Sequence, residues 1–146
     1  MKLNVESIKQ RLRKLEEYIG ELEKLQSVAL PELKSDLRSQ LAAERAFQAS
    51  IESCIDIAGH VVSTFGLGRP QEQRDLFRLL GEAGYLDAGF AAVMMNMVAF
   101  RNRLVHLYWD VDVEHLHEYL QEDVPYLLRF RDFVRQLIAA EEQSGS

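Results

Sequence analysis

A chain of 146 residues that is 47% apolar and 27% charged can build one buried core and is too hydrophobic to stay disordered. Its formal charge of −6 argues against a protein that coats nucleic acid through a general basic excess, while leaving room for a local site with its own arginines. The single cysteine, Cys54, rules out an intrachain disulfide and a cysteine-based zinc site, and its neighbours Ile51, Ile55 and Ala58 suit a small buried hydrophobe. The apolar runs are too short and interrupted to span a bilayer, and Met-Lys-Leu-Asn-Val-Glu lacks a signal-peptide core. A cytoplasmic protein without a membrane partner is the expectation.

Every strong pattern along the chain is helical. Val5, Ile8, Leu12, Leu15, Ile19, Leu22 and Leu25 repeat at three and four, which predicts a helix from Val5 to about Gln26 with one apolar stripe. Acids and bases interleave on its other faces, as on a solvated surface. A second helix is expected after Pro31, running to about Phe65 with Leu33, Leu37, Leu41, Phe47, Ile51, Cys54, Ile55, Ala58, Val61 and Val62 as its seam. It is long enough to contain a bend or a break. Gly66-Leu-Gly-Arg-Pro70 ends it, and Gln71 to about Ala83 forms a shorter helix.

Asp87 is placed to N-cap the next helix, which should stop near Tyr108–Asp110, and Asp112 can cap the last one. That final helix runs from about Val113 to Ala140, with a kink or two segments at Pro125. Residues 141–146 read as a disordered polar tail. The chain therefore predicts one all-α domain over residues 1–140, an antiparallel helical bundle of about five helices.

Chemistry is concentrated at the end of the helix that Asp87 opens. Phe90 to Ala99 holds one polar residue in ten, and Arg101, Asn102, Arg103, His106 and Tyr108 follow. Ionised groups in such a segment must be paired, solvated or functional. Met94, Met97, Arg101, Leu104 and Tyr108 share one stripe, and Met95, Ala99, Asn102 and His106 share the next. Arg101 and His106 lie about 140° apart on an ideal helix, so they do not meet as direct neighbours. Either the arginine wraps around, or a symmetry-related chain brings the two together; the geometry favours a composite site at a dimer seam.

These residue types suit phosphodiester chemistry. Histidine moves a proton near neutrality, arginine holds phosphate oxygens as negative charge builds, and asparagine can orient either group. No metal is required for an RNA 2′-hydroxyl to attack its adjacent phosphate. His115 and His117 are two apart and face different sides of a helix, so no metal pair is expected. Each residue also has a purely structural reading. A terminal histidine can cap, arginines near a helix C-terminus complement its dipole, and Tyr108 and Trp109 can close the core.

The run Arg101-Asn102-Arg103-Leu104-Val105-His106-Leu107-Tyr108 resembles the R-x-x-x-x-H-x-Y signature of HepT toxins, a branch of the HEPN superfamily. Residues 43–52 and 54–60 are similar to that family's second helix, and Val111-Asp112 follows the motif as it does there. The similarity covers about residues 5 to 138.

The resemblance implies a HEPN-like homodimer acting as a metal-independent endoribonuclease toxin without a cofactor. Arg101 and His106 match the catalytic pair, Asn102 their polar companion, and Arg103 would add a phosphate contact. The implied partner, besides RNA, is an MntA-like minimal nucleotidyltransferase antitoxin that transfers AMP to the motif tyrosine, here Tyr108. Two rival readings remain at this stage. One is a non-catalytic helical subunit that presents Tyr108 to a nucleotidyltransferase, and the other is an inert bundle.

Overall fold

The computed structural model describes residues 2–106 and 112–144, with the backbone alone at His106. Seven helices and no strand occur among the described residues, so the all-α expectation holds with two more helices than the periodicity suggested. Asn4 opens α1 (Val5–Gln26) by accepting the Ser7 amide at 3.1 Å, and Ile8, Leu12, Leu15, Ile19 and Leu22 are its buried stripe.

The long second helix is broken. Pro31 sits in the first turn of α2 (Leu30–Ser35), where its missing N–H costs nothing, and the chain turns extended at Asp36. The Asp36 carboxylate then caps α3 (Leu37–Phe65) by accepting the Arg38 and Ser39 amides. Gln40 Nε2 donates back to the Leu33 and Lys34 carbonyls, so both ends of the break are satisfied. Leu37 and Leu41, expected in the seam, are 65% and 55% exposed. The break rotates them off the core while Leu33 and Ala43 stay buried. Gly66, at φ 61°, closes α3 in the left-handed conformation that glycine adopts without a steric penalty.

The third predicted helix starts four residues late. The Asp75 carboxylate accepts the Gln71 and Glu72 amides, which holds those residues in turns ahead of α4 (Asp75–Glu82). Asp87 caps α5 (Ala88–His106) through the Phe90 amide at 2.8 Å, and Asp112 caps α6 (Val113–Glu122) through the Glu114 amide at 3.0 Å. Asp123 separates α6 from α7 (Val124–Ser144), so Pro125 falls in a first turn rather than a helix interior. Helix α7 continues to Ser144, and Lys9 Nζ pairs with Glu142 at 3.1 Å, so the tail expected from residue 141 is helical for four of its residues.

Helix α1 packs against α3 and, in antiparallel sense, against α7, where Lys9–Glu142 and Glu16–Arg135 pair in opposite chain order. Phe47, Phe77, Phe100 and Phe130 are fully buried at the centre. Phe100 meets Phe47 edge-on at 5.5 Å and stacks on Tyr119 at 3.9 Å, so α3, α5 and α6 are joined by one aromatic trio. That trio fixes the level of α5 one residue before Arg101. Cys54 is buried in the same core, and burial pushes its thiol far above the ordinary range, as a packing role requires. No helix among the described residues is long and apolar enough to cross a membrane.

Candidate functional site

Helix α5 is buried on one side through Phe90, Ala91, Met94, Met97, Val98 and Phe100, and its outer face carries Ala88, Ala92, Asn96, Ala99 and Asn102. The polar end of the helix thus lies between a core contact and an open face. Arg101 extends the buried side. Its side chain is 13% exposed, and it reaches across to α3, where Nη1 lies 3.7 Å from Glu52 Oε1. Nη2 donates to Gln73 Oε1, in the turns that precede α4. Arg101 Nε is buried and has no hydrogen-bond partner among the described residues.

That inventory matters because a guanidinium carries five N–H donors. Among the described residues, one hydrogen bond and one ion pair too long to be a hydrogen bond are its polar contacts. The charge is held in place while donor capacity remains. A buried polar group left in that state needs a reason, and a phosphate-binding role supplies one.

Asn102 is exposed and lines a cavity of about 220 Å³ with Gln73, Arg74, Val98 and Ala99. Gln73 therefore belongs to both the arginine's hydrogen bond and the cavity beside Asn102. Arg103 points elsewhere: it lies about 200° around the helix from Arg101. It lines a larger groove of about 740 Å³ between α5 and the α6–α7 junction, with Asn96, Tyr119, Asp123 and Tyr126. Burial, with Glu122 adding like charge, pushes the Asp123 carboxyl up to about 6. Among the described residues, Ala99 alone borders both hollows.

His106 is the last described residue of α5, at nearly the same helical angle as Ala88 and Ala99, and its side chain lies outside the description. Tyr108 lies outside the described residues. The structure thus brings Arg101 and Asn102 to the same Gln73 and sends Arg103 to the opposite flank. Sequence reasoning gave no role to Glu52, Gln48 or Gln73. The available signal was Gln48 and Glu52, four apart on a helix whose flanking positions Ile51 and Ile55 are apolar.

Residues 8–134 match the family model described as Ribonuclease HepT-like. The chain is similar to the tRNA nuclease HepT of Aphanizomenon flos-aquae (strain 2012/KM1/D3), 29% identical over 138 residues that span 94% of each protein. It is also similar to the mRNA nuclease HepT of Shewanella oneidensis, 29% identical over 104 residues, 71% of this chain and 78% of that one. Among solved structures, the fold resembles that of the tri-AMPylated Shewanella oneidensis HEPN toxin in complex with MNT antitoxin. The TM-score is 0.82 at 24% identity, over 91% of this chain and 98% of that one.

Proposed function

Because this chain belongs to the ribonuclease HepT-like family, we propose that it is the endoribonuclease toxin of a toxin–antitoxin pair and that the polar end of α5 is its cleavage site. The observation that carries the site is Arg101, held in an apolar seam between Glu52 and Gln73 with N–H groups that bond to nothing else among the described residues. In this reading an RNA 2′-hydroxyl attacks the adjacent phosphorus and forms a 2′,3′-cyclic phosphate, expelling the 5′-oxygen of the next nucleotide. His106 moves the proton at one of these oxygens, and Arg101 holds the non-bridging oxygens as their charge grows. Asn102 orients phosphate or imidazole from the cavity it lines, and Arg103 contacts a flanking phosphate. The step uses neither metal nor cofactor.

The site is composite in this reading. A second copy seats across the outer face of α5, where Ala88, Ala92 and Ala99 let helices approach closely, and it brings His106 of one subunit toward Arg101 of the other. The cytoplasmic partner is a minimal nucleotidyltransferase that silences the toxin by transferring AMP to Tyr108. Tyr108 follows Arg101 by seven residues in the sequence, the spacing that keeps two residues on one stripe of an ideal helix, so an adenylate there would put negative charge where RNA phosphate must bind. The names of the similar proteins support this reading, with a tRNA nuclease, an mRNA nuclease and an AMPylated toxin bound to its antitoxin among them.

The test uses purified dimer in EDTA. It should cut RNA to ends bearing 2′,3′-cyclic phosphate, and His106→Ala should abolish cutting with an unchanged circular dichroism spectrum. Cutting by His106→Ala at the wild-type rate ends the catalytic assignment. Failure of the partner plus ATP to place AMP on Tyr108, read by mass spectrometry, ends the antitoxin assignment.

A further inference from the structure

The catalytic reading leaves Glu52 unexplained. An ionised carboxylate beside an RNA-binding arginine repels the substrate, so affinity alone argues for a neutral residue at that position. Nor does it saturate the guanidinium, because at 3.7 Å it makes an ion pair without a hydrogen bond. The carboxylate is itself tethered: Gln48, one turn earlier on α3, donates from Nε2 to the same Oε1 at 3.1 Å. Arg101 is the one cation paired with it among the described residues. A row running Gln48, Glu52, Arg101 and Gln73 thus links α3, α5 and the turns before α4.

We infer that Glu52 is a positioning residue for RNA cleavage: fixed by Gln48, its carboxylate meets the Arg101 guanidinium at ion-pair distance without a hydrogen bond and so orients it at the edge of the seam toward phosphate. This rests on the reading above, in which Arg101 stabilises the phosphate. Arginine has many rotamers, and the apolar neighbours of Arg101 on its stripe, Met97 and Leu104, offer no polar anchor. Glu52 supplies one from a different helix. Gln73 differs in kind. Its neutral amide oxygen accepts from the outer nitrogen and borders the cavity beside Asn102, so an incoming phosphate oxygen can displace it without unpairing a charge.

The experiment compares wild type, Glu52→Gln, Glu52→Asp and Arg101→Ala in the full chain. Three quantities are read: the single-turnover cleavage rate at saturating protein, binding of a non-cleavable 2′-O-methyl RNA by fluorescence anisotropy, and melting temperature. Positioning predicts that Glu52→Gln binds the RNA as well as wild type or more tightly, yet cleaves at least about tenfold more slowly. Glu52→Asp, which keeps the charge on a shorter arm, should recover part of the rate.

Glu52→Gln cleaving within about twofold of wild type, while Arg101→Ala is inactive, overturns the positioning role alone. Parallel loss of rate, binding and melting temperature, with no recovery in Glu52→Asp, assigns Glu52 to stability and also overturns it. Arg101→Ala cleaving like wild type brings down the catalytic reading and this inference together.

Discussion

A Cβ placed on Gly81 would lie 2.9 Å from the Cβ of Ala91, so α4 crosses α5 at a separation that only glycine permits. Gly81→Ala should lower stability by about 1–2 kcal/mol, because overpacking outweighs the gain of up to about 1 kcal/mol in helix propensity. Gly20, inside α1, has nothing within 4 Å of the equivalent position. Gly20→Ala should instead raise stability by about 0.5–1 kcal/mol and leave cleavage unchanged. Urea denaturation of both variants reads the opposite signs.

Ala99 is exposed, borders both hollows on α5 and lies on the face proposed to meet a second copy. Ala99→Arg should yield a monomer in sedimentation velocity, with a normal monomer fold and no RNA cleavage. A variant that still sediments as a dimer and still cuts places the subunit interface elsewhere.

Asp123 gives a pH signature of definite sign. Its folded pKa, about 6, lies above the ordinary carboxylate value of 3.8, so the native state binds the extra proton. The burial penalty is absent at pH 3, grows as pH rises between about 4 and 6, and is complete above 7. Asp123→Asn should therefore be more stable than wild type at pH 7.5, by on the order of 1 kcal/mol once solvent screening is allowed for, and the gain should vanish by about pH 3. A gain that is constant across this range contradicts the assignment.

Arg101→Lys separates charge from geometry. Lysine keeps the positive charge and the pairing with Glu52 but lacks the planar fork. RNA affinity and its salt dependence should stay close to wild type, while the single-turnover rate falls by roughly 10²–10³. Equal rates for the two side chains would mean that the guanidinium is not the oxyanion-stabilising group.

Sequence legibility followed the range of the interactions. The α1 bounds were readable because a strict three/four repeat acts locally, and Asp87 and Asp112 announced α5 and α6 as local caps. The break at Asp36 was hidden because Leu33, Leu37 and Leu41 keep a spacing of four across it, although the last two face solvent. The late start of α4 depends on Asp75 reaching back to two amides, an arrangement periodicity does not report. Arg101 stood out as a charge in an apolar stripe, but Glu52 and Gln73 lie 49 and 28 residues before it. Only the folded chain brings them together.

The antiparallel clasp of α1 and α7 has a consequence for engineering. Lys9 touches Glu142, so the first and last turns of the bundle are neighbours, and a few linking residues would span them. A circularly permuted chain, sealed there and cut open at the exposed Arg69–Pro70 stretch, keeps every helix intact. In such a chain no loop would join α3 directly to α4, and the covalent path between them would run the long way round through α7 and α1.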